Sequence, residues 1–295
     1  MQVEDKRNGE AAVANAPAQH DERPGATRLT TIEPIASQAN LSSDGAMLLI
    51  RHAGWKEVKI TAISAVEVHA AGERAVDSAR PSHRAQDPLV SLSQHSYQAG
   101  LWDVETFAHH QYAEGLRRGL EQCERVSSVN DAAEWIERST HNNFAEAVQI
   151  VDWSHASEHL GEVAFSALGE GSRAAQQWLD TRLDKLWEGK PRAVLSALSH
   201  LEKKTPLAAQ PLVQKNITYF SNQQERMHYD QYRAAGYPIG SGTVESAANS
   251  VVHHRLKRPG RGWKRENGQA MLAALSELHS NRFDQAWHAT QSASH

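Results

Sequence analysis

Residues 237–265 read YPIGSGTVESAANSVVHHRLKRPGRGWKR, and the interpretation of the whole chain depends on this stretch. Two glycines in its opening loop allow a tight turn or a close approach to another chain or ligand. The residues after the loop have a helical pattern, which either Ser241 or Thr243 can cap. Glu245 falls in the first turn of that predicted helix, where the helix dipole favours a carboxylate.

The second half of this stretch is strongly basic. Six of its last eleven residues are Lys or Arg and none is acidic: Arg255, Lys257, Arg258, Arg261, Lys264 and Arg265. We expect Pro259 and Gly260 to end the helix within this run. A carboxylate followed by cations suggests a metal ligand beside a phosphate-binding surface; the alternative is a capping glutamate and a solvated basic face. Trp263 either stacks on a base or packs in the core, and we favour core packing.

The composition of the 295-residue chain restricts the class of protein. Its length suits one large domain or two small ones, and its net charge of −4 means that the basic charge is local. The single cysteine, Cys123, excludes a disulfide framework and a cysteine-rich zinc module. No apolar run approaches the roughly 18 residues of a membrane span, and the N-terminus lacks a signal-peptide core, so we expect a cytoplasmic protein without a membrane partner.

The first acid of interest follows a segment that is poor in large apolar residues. Residues 1–40 have this composition, and we expect them to be disordered or loosely held. Two strand patterns come next, at 47–50 and 57–66. Asp44 lies beside the first of them, which makes this a candidate active-site edge. The alternative is a hairpin in which Asp44 and Gly45 only form a turn.

Two further acids follow predicted strands. Residues 125–130 form a strand pattern that ends at Asp131, directly before a helical pattern, and residues 147–151 form another that ends at Asp152. Sites in open α/β sheets form at the carboxyl ends of strands, and on position we favour Asp131 over Asp152. Residues 156–235 have helical patterns and no strand pattern, so the sequence predicts an α/β sheet interrupted by a mainly helical segment.

Three acids therefore stand beside predicted strands or at a helix start: Asp44, Asp131 and Glu245. Two carboxylates on adjacent strands and a third on a packed helix can bind two divalent cations about 4 Å apart. Mg²⁺ suits such a site because it accepts a few carboxylates and keeps water and phosphate oxygens as its other ligands. The 114 positions from Asp131 to Glu245 exceed one strand and its connection, which again predicts an inserted helical domain.

These blocks resemble those of DDE-class bacterial insertion-sequence transposases, most of all the ISKra type, over about residues 41–287. The similar blocks are Ser43–Gly45 with Gly54–Lys59, Ser96–Leu101, Asp131–Ile136, Asp152–Ala156, Gly240–Ala247 and Arg255–Trp263. The family has Gly-Asp-Gly-Ala around its second aspartate, whereas this chain has Asn-Asp-Ala-Ala at 130–133, which predicts a stiffened or misplaced loop. Little chain precedes Asp44, so we expect the N-terminal DNA-recognition region to be missing or vestigial.

The resemblance implies a fold and a set of roles. The fold is α/β, with a ribonuclease-H-like mixed sheet flanked by helices (41–155 and 236–288) and interrupted by a helical insertion (156–235). Asp44, Asp131 and Glu245 would be the catalytic ligands of two Mg²⁺ ions, for which Mn²⁺ can substitute. Asp152 and His155 would support the site or contact DNA, with Asp152 an alternative ligand. For His155, a structural hydrogen bond to Asp152 or a helix-capping role is an equal alternative.

The function implied by the resemblance is DNA transposition in the nucleoid. The enzyme would cleave a strand at the element end and join the 3′-hydroxyl to target DNA, as a homodimer or higher oligomer that pairs two ends. The six cations listed above would contact DNA phosphates. Three alternatives stay open: a truncated, inactive remnant that only binds DNA, a ribonuclease-H-like nuclease acting on another nucleic acid, and a helical scaffold protein.

Overall fold

A computed structural model of the chain describes residues 34–70, 87–258 and 260–292. The described residues contain a five-stranded mixed sheet followed by a mainly helical region. The strands are β1 (Gln38–Ile50), β2 (Gly54–His69), β3 (Leu89–Gly100), β4 (Arg125–Asn130) and β5 (Val148–Val151). Their order across the sheet is β3-β2-β1-β4-β5. β1 to β3 form an antiparallel meander, and β4 and β5 run parallel to β1.

The structure corrects two expectations about the first strand. Asp44 lies inside β1, opposite Ile60 of β2, so the interpretation of Asp44 and Gly45 as a turn is wrong; the hairpin turn is at 51–53. β1 also begins at Gln38 and is buried from there, so the last three residues of the segment 1–40 belong to the sheet. Residues 1–33 of that segment lie outside the described part.

Eleven α-helices are present in the described residues. They are α1 (Val104–Arg117), α2 (Glu134–Asn143), α3 (Trp153–Leu168), α4 (Arg173–Trp187), α5 (Pro191–Glu202), α6 (Gln210–Gln223), α7 (Tyr229–Ala234), α8 (Gly242–Ala247), α9 (His254–Leu256), α10 (Arg265–His279) and α11 (Phe283–Ser292). A π-helical segment, Ala248–His253, joins α8 to α9 without a break. Residues 156–235, all of them described, contain no strand, as the sequence predicted.

Helices cover both faces of the sheet because β1 and β2 are apolar on both. One set of alternate residues, including Ala46, Leu48 and Ile60, packs against the run α8 to α10. The opposite set, including Leu41 and Ile63, packs against the segments around α1 and α2. The outer strands β4 and β5 contribute Val129, Ile150 and Val151 to a third cluster, in which they pack with α3 to α7.

The helical region is attached to the sheet by hydrogen bonds as well as by packing. Tyr229 of α7 is fully buried and donates its hydroxyl to the Val151 carbonyl at 3.0 Å. At the other end of the sheet, Gln38 donates to the Gly236 carbonyl at 3.1 Å. In the described part of the chain, none of the helices has the length and apolar character needed to cross a membrane.

Candidate active site

The register of two parallel strands brings the first two acids together. β1 and β4 pair with a constant offset, so that Leu41 lies opposite Ser128, 87 positions later. Two residues further on, the Ser43 N–H donates to the side-chain oxygen of Asn130 at 2.6 Å, again 87 positions apart. The backbone pairing ends at Leu41 and Ser128, and carrying the same offset forward aligns Asp44 with Asp131, the first residue after β4, whose charge acts on Asp44.

A buried polar network holds this part of β1 and β4. Asn130 accepts from Ser43 and donates its amide to the Ser128 hydroxyl at 2.7 Å. On the other side of β1, Gln111 of α1 donates to the Ser43 hydroxyl at 3.1 Å and accepts from Asn143 of α2 at 2.9 Å. Because such groups are costly to bury unpaired, this network fixes the backbone on which the two acids stand.

No sequence motif indicated these supporting residues. The available signal was the density of small polar residues in and before the predicted strands: Asn40, Ser42 and Ser43 are buried in β1, and Ser127, Ser128 and Asn130 are buried in β4. Buried polar groups require hydrogen-bond partners, and those hydrogen bonds fix the positions of the strands that carry them.

The third acid approaches from the helix that covers the same face. Side chains alternate along a strand, so Asp44 points to the face of Ala46 and Leu48, which α8 covers. Glu245 lies in the first turn of α8 and is exposed. Ser241 occupies the N-cap position but makes no side-chain capping bond. The Glu245 side chain makes no hydrogen bond with another described residue, whereas its backbone N–H donates to the Ser241 carbonyl at 3.3 Å.

The pKa of Asp44 depends on its burial and on the neighbouring charged side chains. Burial raises the pKa of Asp44 to about 6, although a hydrogen bond from the Gly45 N–H opposes the shift. The neighbouring charges of Asp131 and Glu245 raise this pKa further, and His155 lowers it. Within the described ranges, however, no three His, Cys, Asp or Glu side chains are grouped closely enough to hold a metal ion.

The loop that carries Asp131 has an unusual backbone. Asp131 is half-buried, and its Oδ1 accepts the Ala133 N–H at 2.9 Å in a tight turn. The residue between them, Ala132, has a φ of 72°, in the left-handed region where a Cβ is crowded. The loop therefore adopts a glycine-like conformation with an alanine, at the position where the resembling family has glycine.

Asp152 has a structural role that the sequence did not resolve. It is buried and caps α3, accepting the His155 N–H on Oδ1 at 2.9 Å. Its Oδ2 accepts the N–H of Ser241, in the loop that leads to α8. Asp152 is 1% exposed, which favours the expected supporting role over direct contact with DNA. Both carboxylate oxygens are held by backbone amides, and this carboxylate positions the loop before Glu245.

His155 lies at the edge of the site. Its backbone N–H, not its imidazole, makes the hydrogen bond to Asp152. The imidazole Nδ1 is 3.7 Å from the Glu158 carboxylate, one turn along α3. Its effect on the pKa of Asp44 indicates that the ring lies within electrostatic range of that carboxyl group.

A tyrosine from the helical region also lies near the acids, and no sequence motif indicated it. Burial raises the pKa of Tyr219 well above its usual value, and the charges of Asp131 and Asp152 raise it further. The Tyr219 hydroxyl is buried and has no hydrogen-bond partner among the described residues. Its ring stacks on His159 of α3 at 4.0 Å, so α6 and α3 together form one wall beside the acids.

The basic segment, residues 255–265, is hydrogen-bonded to β1 beyond Asp44. The helical run ends at Leu256, as predicted, although Pro259 lies outside the described residues. Trp263 packs against the core beneath α10 and donates its indole N–H to the Leu256 carbonyl at 2.9 Å, which confirms core packing. Its backbone N–H donates to the Leu49 carbonyl at 2.9 Å, and its carbonyl accepts the Arg51 N–H at 2.8 Å.

The cations of this segment are exposed and carry charge that is not neutralised locally. All six are exposed, and none forms an ion pair with a carboxylate in the described part of the chain: Arg255, Lys257, Arg258, Arg261, Lys264 and Arg265. Arg265 donates one N–H to the Leu101 carbonyl at 2.6 Å. This arrangement is suited to binding a polyanion.

No protein-family model matches this chain, and no curated protein sequence matches it significantly. The function is therefore argued from the chemistry of the site.

Proposed function

We propose that this chain is a DDE-class transposase with a ribonuclease-H-like catalytic fold interrupted by a helical insertion. The observation that carries the proposal is the offset of 87 positions between β1 and β4, which supports an alignment of Asp44 with Asp131 when it is carried forward past the last paired residues. Glu245 comes from the helix over the same sheet face. A mixed sheet in the order β3-β2-β1-β4-β5, with antiparallel and then parallel pairs, supports the same assignment.

The donor set suits divalent magnesium. Carboxylates are the ligand type that Mg²⁺ prefers, and the side chain of Glu245 is exposed. Crowding of these negative charges is part of why the pKa of Asp44 is raised, and a cation between them would relieve it. When bound, two such ions supply activation of the attacking water or 3′-hydroxyl and stabilisation of the leaving oxygen.

The other residues have separate tasks in this proposal. Asp152 holds the loop before α8 and so orients Glu245. The cations of residues 255–265 bind backbone phosphates, which gives a largely sequence-independent contact that weakens with salt. Pairing two element ends requires a dimer or a higher oligomer.

The test is strand cleavage and joining on plasmid DNA that carries the flanking element ends, with Mg²⁺ or Mn²⁺. Wild type is compared with Glu245→Gln and Asp131→Asn, which remove a ligand charge and keep the side-chain size. Glu266→Gln, an exposed acid at the start of α10, is the matched control. We expect cleavage and joining in wild type and in the control, and loss of both in the two site variants. Activity that survives in either site variant refutes its role as a ligand.

The second candidate is a protein that binds DNA without cleaving it. It is favoured by the absence, in the described residues, of three side chains already arranged for a metal, and by the crowded backbone at Ala132. In that case the protein binds DNA, Mg²⁺ produces no nicks, and Glu245→Gln changes nothing. A nuclease acting on another nucleic acid is distinguished from both by cleavage without joining.

A further inference from the structure

The end of the β1–β2 hairpin exposes an apolar surface. Trp55 lies opposite Leu49 in the pairing of the two strands, and Met47 is two residues before Leu49, so the three share one face. Trp55 is 54% exposed and Met47 is 44% exposed. The Trp55 ring makes no stacking or cation contact with another described residue. A cluster of exposed apolar side chains of this kind is typical of an interaction surface.

This apolar surface is continuous with the basic segment. Arg51, in the hairpin turn, donates its side-chain N–H to the Gly262 carbonyl at 2.6 Å and its backbone N–H to Trp263 at 2.8 Å. Gly262 lies against Leu49, because a Cβ built on it would be 3.5 Å from the Leu49 Cγ. The hairpin end and residues 255–265 therefore form one surface around the free edge of β1.

The unpaired charges around this surface are positive. Arg51, in the hairpin turn, is exposed and has no carboxylate partner in the described residues, like the cations of residues 255–265. Glu57 shares the face of Trp55 and Met47, but its carboxylate is paired with Lys59. An exposed aromatic side chain beside unpaired cations fits a ligand that alternates flat rings with negative charges. That is the chemistry of a single nucleic-acid strand, in which bases are free to stack.

We propose that Met47, Leu49, Arg51 and Trp55 bind single-stranded nucleic acid, with an unpaired base stacked on Trp55 and phosphates on Arg51 and the basic segment. This inference deepens the proposed function and rests on its DNA-binding part. Trp55 lies on the sheet face opposite that of Asp44, since the two differ in strand alternation. The surface therefore contributes to binding and not to the chemical step.

The test is fluorescence anisotropy with a labelled 20-nucleotide oligothymidylate and a labelled duplex of the same length. The variants are Trp55→Ala and Trp55→Phe. Trp287→Ala is the matched control, because Trp287 in α11 is also 54% exposed. We expect Trp55→Ala to weaken single-strand binding about 5- to 150-fold, as loss of one stacked base does, and Trp55→Phe to restore part of it. The single-strand affinity of Trp287→Ala should stay close to that of wild type. The duplex affinity of Trp55→Ala should also stay close to the wild-type value.

Salt dependence separates the two kinds of contact. Arg51→Gln should lower the slope of log affinity against log salt by about 0.7, the value for one phosphate of a single strand, whereas Trp55→Ala should leave the slope unchanged. The inference is overturned if Trp55→Ala binds the single strand as tightly as wild type does, or loses no more affinity than Trp287→Ala loses. Displacement of the oligonucleotide by an equal charge concentration of polyglutamate also overturns it. If wild type binds the oligonucleotide through Trp55 but never cleaves DNA, the transposase proposal fails and this inference stands.

Discussion

At the scale of single residues, Ala132 is one of four non-glycine residues with a positive φ in the described part, and it is the one beside a proposed ligand. Its φ of 72° crowds the Cβ, which costs about 1–2 kcal/mol, whereas the additional chain entropy of glycine costs about 0.5–1 kcal/mol. We therefore predict that Ala132→Gly raises the free energy of unfolding by about 0.5–1 kcal/mol, measured by urea denaturation. Cleavage activity should be kept or increased, since the glycine lets the Asp131 loop relax.

The control for this prediction is the same substitution where alanine is favourable. Ala270 is exposed in the interior of α10, and Ala270→Gly should lower the free energy of unfolding by about 1 kcal/mol. A loss of stability in Ala132→Gly that matches the loss in Ala270→Gly would show that the left-handed backbone at 132 carries no strain.

The identity of the site residues stays a prediction. Asp44, Asp131 and Glu245 were chosen because they lie beside predicted strands or at a helix start, and in the structure the charges of Asp131 and Glu245 act on the half-buried Asp44. The sequence did not select Asn130 or Tyr219. Their importance depends on hydrogen bonds and packing between distant segments, which no local pattern encodes.

At the scale of elements, Asp152 connects the end of β5, the start of α3 and the loop before α8. Removing it loses two buried hydrogen bonds to a charged acceptor, each of which contributes about 1.5–3 kcal/mol. We predict that Asp152→Ala lowers the free energy of unfolding by at least about 3 kcal/mol, whereas Asp131→Ala stays within about 1 kcal/mol of wild type. Urea denaturation of both variants measures the difference.

The alanine variants of the two aspartates should therefore differ in stability and in activity. Asp131→Ala should yield a stable protein without cleavage activity, and Asp152→Ala a destabilised protein. If Asp152→Ala were as stable as wild type and lost divalent-cation binding, Asp152 would be the ligand and its backbone contacts would be incidental.

Strand boundaries were predicted well where the local sequence pattern was simple. The patterns at 125–130 and 147–151 match β4 and β5 closely because each is a short buried run between polar segments. β1 was predicted too short, since its first half contains buried polar residues at Asn40, Ser42 and Ser43. Such residues weaken the apolar alternation on which a sequence-based strand assignment depends, and only their partners reveal that they are inside.

At the scale of the whole molecule, an ion-pair network joins the C-terminal helices to the centre of the chain. Arg282, between α10 and α11, binds both oxygens of Glu114 in α1, at 2.8 and 3.2 Å, and its Nε donates to Glu277 at 2.9 Å. The Glu114 side chain is completely buried. Without Arg282, the buried Glu114 carboxylate keeps only the Gln98 amide at 3.2 Å and Arg117 at 3.5 Å, and a poorly paired buried charge is costly.

We predict that Arg282→Met lowers the free energy of unfolding by about 3 kcal/mol. The double variant Arg282→Met with Glu114→Gln should recover most of that loss, because the buried carboxylate is then neutral. Thermal and urea unfolding of the four proteins in this cycle give the coupling energy. If the double variant were no more stable than Arg282→Met alone, the cost would come from lost packing of the arginine and not from the unpaired charge.

The order of segments along the chain was predictable, but their contacts were not. The long interval before Glu245 and its helical patterns predicted an inserted helical region, and the structure has helices throughout it. Which of those helices reaches the acids depends on packing: α6 contributes Tyr219 because Val213 and Phe220 of the same helix are buried in the shared core. No spacing in the sequence carries that information.

The central claim is that Asp44, Asp131 and Glu245 share a divalent cation, and Mn²⁺ binding tests it without requiring activity. Free Mn²⁺ can be followed by electron paramagnetic resonance during titration of wild type, Asp44→Asn, Asp131→Asn, Glu245→Gln and the control Glu266→Gln. We expect saturable Mn²⁺ binding in wild type and in the control, weakened at least about tenfold in each of the three site variants. If wild type takes up no Mn²⁺, or if the three site variants bind it as wild type does, these acids do not form a cation site.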